Sequence, residues 1–136
     1  MRQIVIDAGP LIGLLYAKDR DREQCRRGFA ELASSKTAIV TPLPIVYEVY
    51  KWLLQRASPD SAQNALQIMQ ESMHVVPLDR ADFERVCELA RSLHRWQGSL
   101  EDATVAVLGL RYRCPVWTLN FRDFGAIKTL QFWMPT

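Results

Sequence analysis

Long apolar runs are absent from this sequence of 136 residues. No segment approaches the roughly 18–20 uninterrupted apolar residues that a membrane-spanning helix needs. The apolar opening of the chain is interrupted by Asp7 and then by Gly9 and Pro10, and no small-residue cleavage site precedes Lys18. The opening therefore does not have the form of a secretory signal peptide. These absences predict a cytoplasmic protein with no membrane segment.

Cysteine is scarce, and the motifs of several enzyme classes are missing. Cys25, Cys87 and Cys114 form no CxxC pair and have no histidine at zinc-site spacing, which predicts buried or incidental thiols and no disulfide framework. The phosphate-binding loop GxxxxGK[ST] is absent, as is the nucleophile elbow of serine and cysteine hydrolases. Gly9 stands where the D-x-D motif of haloacid-dehalogenase-like phosphatases needs its second aspartate. The acidic pair and last-strand lysine of a receiver-like phosphoacceptor domain are not visible either.

Net charge is small, +2 at pH 7, and by itself does not indicate a nucleic-acid binder. Arginine nevertheless outnumbers lysine by thirteen to four, and Arg20, Arg22, Arg26 and Arg27 lie close together. Guanidinium groups suit bidentate contact with phosphate. A phosphate-contacting surface and a plain solvated helix face both stay open as interpretations of this cluster.

The order of apolar runs and helix-start signals predicts the fold class. Strands are predicted at residues 2–6, 37–41, 74–78, 116–118 and 130–133. Helices are predicted to begin at Gly9-Pro10, near residue 20, at Pro42 to Pro44, at Ser58-Pro59, at Asp79 and at Ser99. Strands that alternate with helices predict an α/β fold, a three-layer α/β/α sandwich with a mostly parallel central sheet. Residues 1–136 are predicted to form one domain, with no linker or repeat.

Apolar periodicity predicts which face of each helix is buried. The helix after Pro42 and the helix capped by Asp79 each carry an apolar stripe. The first stripe comprises Leu43, Val46, Tyr47, Tyr50, Leu53 and Leu54, and the second comprises Phe83, Val86, Leu89, Ala90 and Leu93. The helix from Ser99 to about Arg113 is apolar nearly all round, which predicts a central position for it.

Acidic residues fall where ligands bind in this class of fold, beyond the carboxyl ends of the parallel strands. Asp7 ends the first strand, and Asp102 lies in the first turn of the helix that leads into the fourth strand. The loop 120–123 follows that fourth strand. Glu48 lies off the apolar stripe of its helix, in a turn that can face the same cleft. Topology therefore predicts that these positions converge at one edge of the sheet.

Each of these acids also has a structural interpretation. Asp7 can cap the helix that follows it, and Asp102 can be the acid of a capping box with Ser99. Glu48 can be a solvated surface charge, and Asp123 can be a turn or cap residue. Among the residues outside this scheme, the histidines are assigned to structure and the tryptophans to the core or an interface, where one can stack on a base; they are His74, His94, Trp52, Trp96, Trp117 and Trp133.

Four segments together resemble the signature regions of PIN domains, with the greatest similarity to the VapC toxins of bacterial toxin–antitoxin pairs. They are IVIDAGPLIGLL around Asp7, PIVYEVYKWL around Glu48, SLEDATVAV around Asp102, and TLNFRDF at 118–124. The resemblance covers the whole chain. It implies that Asp7, Glu48 and Asp102 are the principal metal-binding acids. Many members carry a further aspartate where this chain has Asn120, and members with a T-x-N-x-x-D-F loop use the later acid.

The resemblance accordingly implies that Asp123 is the fourth acid, that Asn120 is its polar neighbour, and that the Thr118 hydroxyl orients the loop or a carboxylate. It further implies an endoribonuclease that uses Mg²⁺ or Mn²⁺, ions that prefer oxygen ligands and activate water for phosphodiester hydrolysis. The implied partners are an RNA substrate, a small antitoxin protein and a second copy of the chain. An inactive PIN-like domain that binds RNA or protein, and a housekeeping RNA-processing nuclease, stay open as alternatives.

The implied antitoxin is expected to place a positively charged residue among the carboxylates, and to dock apolar residues on the exposed sides of the second to fourth helices. Candidate docking residues are Tyr47, Tyr50, Trp52 and Leu54.

Overall fold

A computed structural model describes residues 2–92 and 96–136, which form four strands and seven helices. The strands are β1 (Gln3–Ile6), β2 (Ala38–Pro42), β3 (His74–Val76) and β4 (Val116–Trp117). The helices are α1 (Ala8–Leu15), α2 (Arg22–Ser34), α3 (Leu43–Arg56), α4 (Pro59–Ser72), α5 (Arg80–Ser92), α6 (Leu100–Tyr112) and α7 (Phe121–Phe124). None of the described helices is long and apolar enough to cross a membrane.

The strands form one parallel sheet in the order β3-β2-β1-β4. The chain moves outward from β1 to β3 and then crosses back to place β4 on the other side of β1. Because crossovers between parallel strands are right-handed, α1 to α4 cover one face and α5 and α6 cover the other. The predicted three-layer α/β arrangement is confirmed. The strand order reverses next to β1, which is where this class of fold forms its ligand cleft.

The sixth helix is central, as its sequence predicts. Ser99 caps it, and the Ser99 side chain and Asp102 form a reciprocal capping box. Every residue from Ala103 to Gly109 is buried. Such a helix derives its stability from packing on several sides, and it holds its first turn in a fixed position against the sheet.

Helix α5 is joined to α6 through a buried ion pair. Asp82 is almost completely buried, and its Oδ2 accepts a hydrogen bond of 2.6 Å from Nη1 of Arg111. Asp79 caps α5 as predicted, because its Oδ1 accepts from the Asp82 backbone N–H at 2.8 Å. Removing Arg111 would leave this buried carboxylate with only the more distant Arg85, 3.9 Å away, to compensate its charge, which is costly. The pair therefore fixes α5 on the helix that carries Asp102.

The predicted fifth strand at residues 130–133 is wrong. This segment makes only an isolated parallel bridge between Phe132 and Val116, with hydrogen bonds from Val116 N–H to Gln131 and from Trp133 N–H to Val116. Strand β4 has only two residues, so it offers too short an edge for a longer partner. The segment instead contributes Trp133, which packs edge-on against Trp117 at 5.0 Å between ring centroids.

The predicted apolar stripes of α3 and α5 are only partly correct. The buried face of α3 is Ile45, Val46, Val49 and Leu53, whereas Tyr47 is 65% exposed and Leu54 is 42% exposed. In α5 Phe83 is 56% exposed, and Leu93 lies outside the described residues. Ile45, Val49 and Leu53 are spaced four residues apart, so they share one face of the helix. Tyr47 precedes Val49 by two residues, a rotation of about 200°, so its side chain points about 160° away from that of Val49.

The cysteines and tryptophans have structural surroundings. Cys25 and Cys114 are buried and all three cysteines are free; burial raises the pKa of both buried thiols, that of Cys25 to about 11. Trp52 packs edge-on against Tyr16, and Trp96 against Phe124. His74 begins β3 with an exposed side chain, and His94 lies outside the described residues.

Candidate metal centre

Asp7 follows the last residue of β1 and is 4% exposed. Its backbone N–H donates to the Trp117 carbonyl at 3.0 Å, which extends the β1–β4 pairing by one residue. Its Oδ1 accepts from the Ala8 N–H at 2.8 Å, so Asp7 is the N-cap of α1. Its Oδ2 accepts from the Thr118 hydroxyl at 2.7 Å. The cap interpretation and the site interpretation of Asp7 are therefore compatible, because each carboxylate oxygen has a second lone pair.

Glu48 reaches the same cleft from the second turn of α3. Its Oε2 atom is buried and accepts no hydrogen bond from the part of the chain that the structure describes. A buried carboxylate oxygen without a donor is costly, and such an atom calls for a missing partner. Glu48 is consequently not a plain solvated surface charge.

Asp102 lies in the first turn of α6, where it completes the capping box. Its Oδ2 accepts from the Ser99 N–H at 3.1 Å, and its own N–H donates to the Ser99 hydroxyl at 3.0 Å. The positive end of the helix dipole favours a carboxylate at this position. The local capping motif thus holds the Asp102 side chain at the cleft as well as starting the helix.

These three acids form a cluster suited to a cation. One carboxylate oxygen each from Asp7, Glu48 and Asp102 lies within 4.8 Å of the other two. Oxygen ligands at about 2.1 Å from one Mg²⁺ lie at most about 4.2 Å apart, so small side-chain adjustments suffice to bring all three onto one ion. The orphaned oxygen of Glu48 fits this assignment. An all-carboxylate donor set selects hard cations such as Mg²⁺ or Mn²⁺.

The surroundings of the three carboxyl groups oppose their ionisation. Burial raises the pKa of Asp7 to about 6, with a further contribution from Asp102, against the lowering effect of the Thr118 hydrogen bond. Burial, then the charges of Asp7, Asp102 and Glu101, raise the pKa of Glu48 to about 7. Burial also raises the pKa of Asp102. Near neutral pH and without a cation, the folded protein therefore keeps protons on carboxyl groups that are ionised in the unfolded chain.

The loop after β4 is organised by side-chain hydrogen bonds. The Thr118 hydroxyl, which donates to Asp7, accepts from the Asn120 N–H at 2.9 Å. Asn120 in turn caps α7, and its Nδ2 donates to Asp123 Oδ2 at 2.9 Å. Asp123 is not in the cluster of three, although its charge contributes to the raised pKa of Asp102. Thr118 thus contacts both the loop and a carboxylate, and Asn120 contacts Asp123.

Two neighbours of the cluster could not be predicted from the sequence. Glu101 precedes Asp102, and its charge raises the pKa of both Glu48 and Asp102; its position in the first turn of α6 resembles that of any solvated helix-start acid. Thr41 is fully buried near the end of β2, opposite Ile6, the residue that precedes Asp7. A single threonine before a proline carries no recognisable motif.

The arginine cluster has mixed roles. Arg22 donates to the Leu14 carbonyl at 2.9 Å and so caps the end of α1, and Arg20 lies 3.7 Å from Asp21. Arg26 and Arg27 are exposed on α2. Two of the four side chains therefore have structural partners.

The raised pKa values predict how the stability of the metal-free protein depends on pH. A carboxyl group whose pKa is higher in the folded state favours folding below its unfolded pKa, and this contribution is lost as pH rises to the folded pKa. We expect the free energy of unfolding in EDTA to fall between pH 4 and about 7. At about 1.4 kcal/mol per pKa unit, Asp7 alone accounts for about 3 kcal/mol of the loss. Urea denaturation at a series of pH values measures it.

Asp7→Asn is the matched variant for this measurement. It keeps the shape of the side chain but cannot ionise, so we expect a shallower pH dependence and, at pH 8 in EDTA, higher stability than the parent. A parent protein that gains stability from pH 5 to 8, or an Asp7→Asn protein less stable at pH 8, contradicts the electrostatic account.

Comparisons with solved structures show which fold this is. The VapC20 toxin of Mycobacterium tuberculosis, described as cleaving the sarcin–ricin loop, superposes with a TM-score of 0.80 at 18% identity, over 91% of this chain and 95% of that one. The VapBC2 structure from Rickettsia felis gives 0.77 at 13% identity, over 96% and 97% of the two chains. DNA-bound VapBC from Salmonella typhimurium gives 0.77 at 16% identity, over 98% of each.

At these identities the structural similarity establishes the fold. A search of curated protein sequences found no significant match. The family model of the PIN domain matches residues 4–128 of the sequence, and the chain therefore belongs to the PIN domain family.

Proposed function

We propose that this chain is a metal-dependent endoribonuclease and the toxin of a toxin–antitoxin pair. The observation that carries the proposal is the convergence of Asp7, Glu48 and Asp102 within 4.8 Å of one another, in a chain of the PIN domain family. VapC20, whose fold this chain shares, is described as a toxin that cleaves the sarcin–ricin loop.

Asp7, Glu48 and Asp102 would hold Mg²⁺ or Mn²⁺, and the bound cation would polarise a phosphoryl oxygen and lower the pKa of a bound water. The chain itself fixes the ligands. Thr118 and the Ala8 N–H orient the Asp7 carboxylate, and the capping box orients Asp102. Three carboxylates would otherwise repel a phosphodiester, so a polyanionic substrate requires their charge to be compensated.

Replacing any one acid of the cluster by its amide removes most of the activity. We expect Asp7→Asn, Glu48→Gln and Asp102→Asn each to lower the rate of RNA cleavage by more than about a hundredfold, since a lost ligand costs more than a lost outer contact. Cleavage of a fluorescently labelled RNA, with Mg²⁺ or Mn²⁺ and with EDTA, measures this.

The control for these variants is Asp60→Asn, which removes an exposed carboxylate from the first turn of α4 and is expected to cleave like the parent. Robust cleavage in EDTA by protein free of contaminating nuclease refutes the metal mechanism. Folded protein that binds RNA without cleaving it points instead to an inactive binding domain.

Asp123 is proposed as the fourth acid, acting from outside the cluster of three. It is the residue that brings negative charge to the loop after β4, and Asn120 holds its carboxylate at 2.9 Å. We expect Asp123→Asn to lower metal-dependent cleavage more than Asn120→Ala does, because only the first substitution removes the charge. Both variants are compared at saturating and limiting Mn²⁺. Equal, small effects would leave a three-acid site.

An exposed apolar face supports a homodimer. Tyr47, Phe83 and Leu100, from α3, α5 and α6, are all more than half exposed and line one groove of about 370 Å³. Contiguous exposed apolar side chains mark interaction surfaces. Tyr47, which the sequence makes a candidate antitoxin contact, lies on this face and is proposed to contact a second copy of the chain.

The dimer is tested by light scattering on the purified chain. We expect the mass of two copies for the parent and of one copy for Phe83→Glu, because a charge buried in an apolar interface without a partner is costly. Ile68→Glu changes a less exposed apolar residue of α4 and is expected to leave the dimer intact. A monomeric parent contradicts the assignment.

An antitoxin partner is proposed from the same comparisons. The solved structures with this fold include VapBC complexes and FitAB, and one of them is described as a toxin–antitoxin complex. The three acids offer a binding place for an arginine or lysine of the partner. Leu54 is exposed, and Tyr50 and Trp52 are partly exposed, so these residues of α3 are the apolar docking candidates.

Expression in a bacterial host tests the toxin assignment. We expect the chain alone to arrest growth, the Asp7→Asn form to be harmless, and co-expression of the small protein encoded beside it to restore growth by forming a stable complex. The measurements are growth curves and copurification. A harmless parent that copurifies with no small protein leaves a processing nuclease or an inactive binding domain.

A further inference from the structure

The hydrogen-bond ladder between β1 and β2 ends at a proline. Gln3 pairs with Ala38, and the Ala38 N–H donates to the Arg2 carbonyl at 2.8 Å. In a parallel ladder one strand donates at every second residue, so the next donors in β2 are residues 40 and 42. Residue 42 is proline and has no N–H. The carbonyl of Ile6 therefore receives no backbone donor from β2.

A side chain takes the place of the missing donor. The hydroxyl of Thr41 donates to the Ile6 carbonyl at 2.7 Å. Thr41 and Ile6 are both fully buried, so water is not at hand to satisfy this carbonyl. An unpaired buried carbonyl is costly. The Thr41 hydroxyl therefore replaces the missing backbone donor at this point of the sheet.

The bond spans the two segments that deliver Asp7 and Glu48. Ile6 immediately precedes Asp7, and Thr41 and Pro42 immediately precede α3, which carries Glu48 in its second turn. On the opposite side, Asp7 is fixed by the Trp117 carbonyl and the Thr118 hydroxyl. Beyond the backbone ladder, the Thr41 bond is the one side-chain hydrogen bond, among those of the described residues, that joins this end of β1 to the end of β2 that leads into α3.

We propose that Thr41 is a positioning residue that sets the separation of the Asp7 and Glu48 carboxylates for the cation. The inference rests on the proposed metal site. Thr118 orients the Asp7 carboxylate directly, whereas Thr41 acts on the main chain beneath it. Loss of the hydroxyl lets the end of β1 move relative to α3, so the two ligands no longer match one ion.

The proline suggests a rescue experiment. Thr41→Val removes the donor with little change of shape, and Thr41→Ser keeps it. Pro42→Ala restores a backbone N–H where the ladder places it, and the extended conformation of Pro42, φ −71° and ψ 144°, suits alanine. The double variant Thr41→Val/Pro42→Ala therefore regains a donor to the Ile6 carbonyl from the main chain.

The readouts are Mn²⁺ affinity by calorimetry and the thermal unfolding of the metal-free protein. We expect Thr41→Val to bind Mn²⁺ about tenfold more weakly, the size of effect seen when an outer support of a metal ligand is lost. Thr41→Ser and the double variant are expected to bind within about twofold of the parent, a margin small beside that loss. Leu32→Val is the stability control, because Leu32 is buried in α2 near the amino ends of the strands, away from the three acids. This variant should unfold at lower temperature and bind Mn²⁺ with the parental affinity.

Parental affinity in Thr41→Val overturns the positioning role, and so does equal weakening in Leu32→Val, which would trace the effect to stability alone. Failure of the double variant to recover, with Thr41→Ser intact, overturns the proline-gap explanation. A parent that binds Mn²⁺ but cleaves no RNA refutes the proposed ribonuclease while leaving the positioning role standing. A parent that binds no Mn²⁺ refutes both.

Discussion

The partial burial of three neighbouring carboxylates in one cleft is the constraint on which this site depends. Burial is the largest cause of the raised pKa of Asp7, Glu48 and Asp102, and the charges of neighbouring carboxylates raise each pKa further. Such a cluster destabilises the fold that builds it. The surrounding structure must therefore hold the acids in place through contacts that do not consume their remaining lone pairs.

Capping motifs supply those contacts. Asp7 is the N-cap of α1, and Asp102 is the acid of the α6 capping box, so each side chain is fixed by a neighbouring backbone N–H that a helix start must satisfy in any case. Glu48 receives no such support from the residues that the structure describes, and its Oε2 accepts no hydrogen bond from them. Two acids are thus positioned by local structure, and the third depends on the placement of a whole helix, which is why the junction of β2 with α3 matters.

Much of this could be predicted from the sequence because it is local. Asp7 after an apolar run and Ser99 three residues before Asp102 are signals written in consecutive residues. Features that depend on distant contacts could not be predicted. The 130–133 segment has strand-like composition, but the edge it meets is only two residues long. Tyr47 and Phe83 continue apolar stripes yet lie exposed, because burial depends on which face the sheet covers. Asp123 and Asn120 contact each other, and no pattern in the loop shows how far they stand from the three acids.

The same burial that destabilises the metal-free protein shapes its response to cations. Because the pKa of Asp7 is about 6 and that of Glu48 about 7, protons compete with a cation for these oxygens near neutral pH, and binding releases them. A cation or the ammonium or guanidinium group of a partner therefore gains affinity as pH rises through this range. Folding stability and the binding of any positive group at this site then both depend on one quantity, the charge of the three-acid cluster. A substitution that makes the cluster less negative stabilises the fold and at the same time weakens the binding of any positive group there.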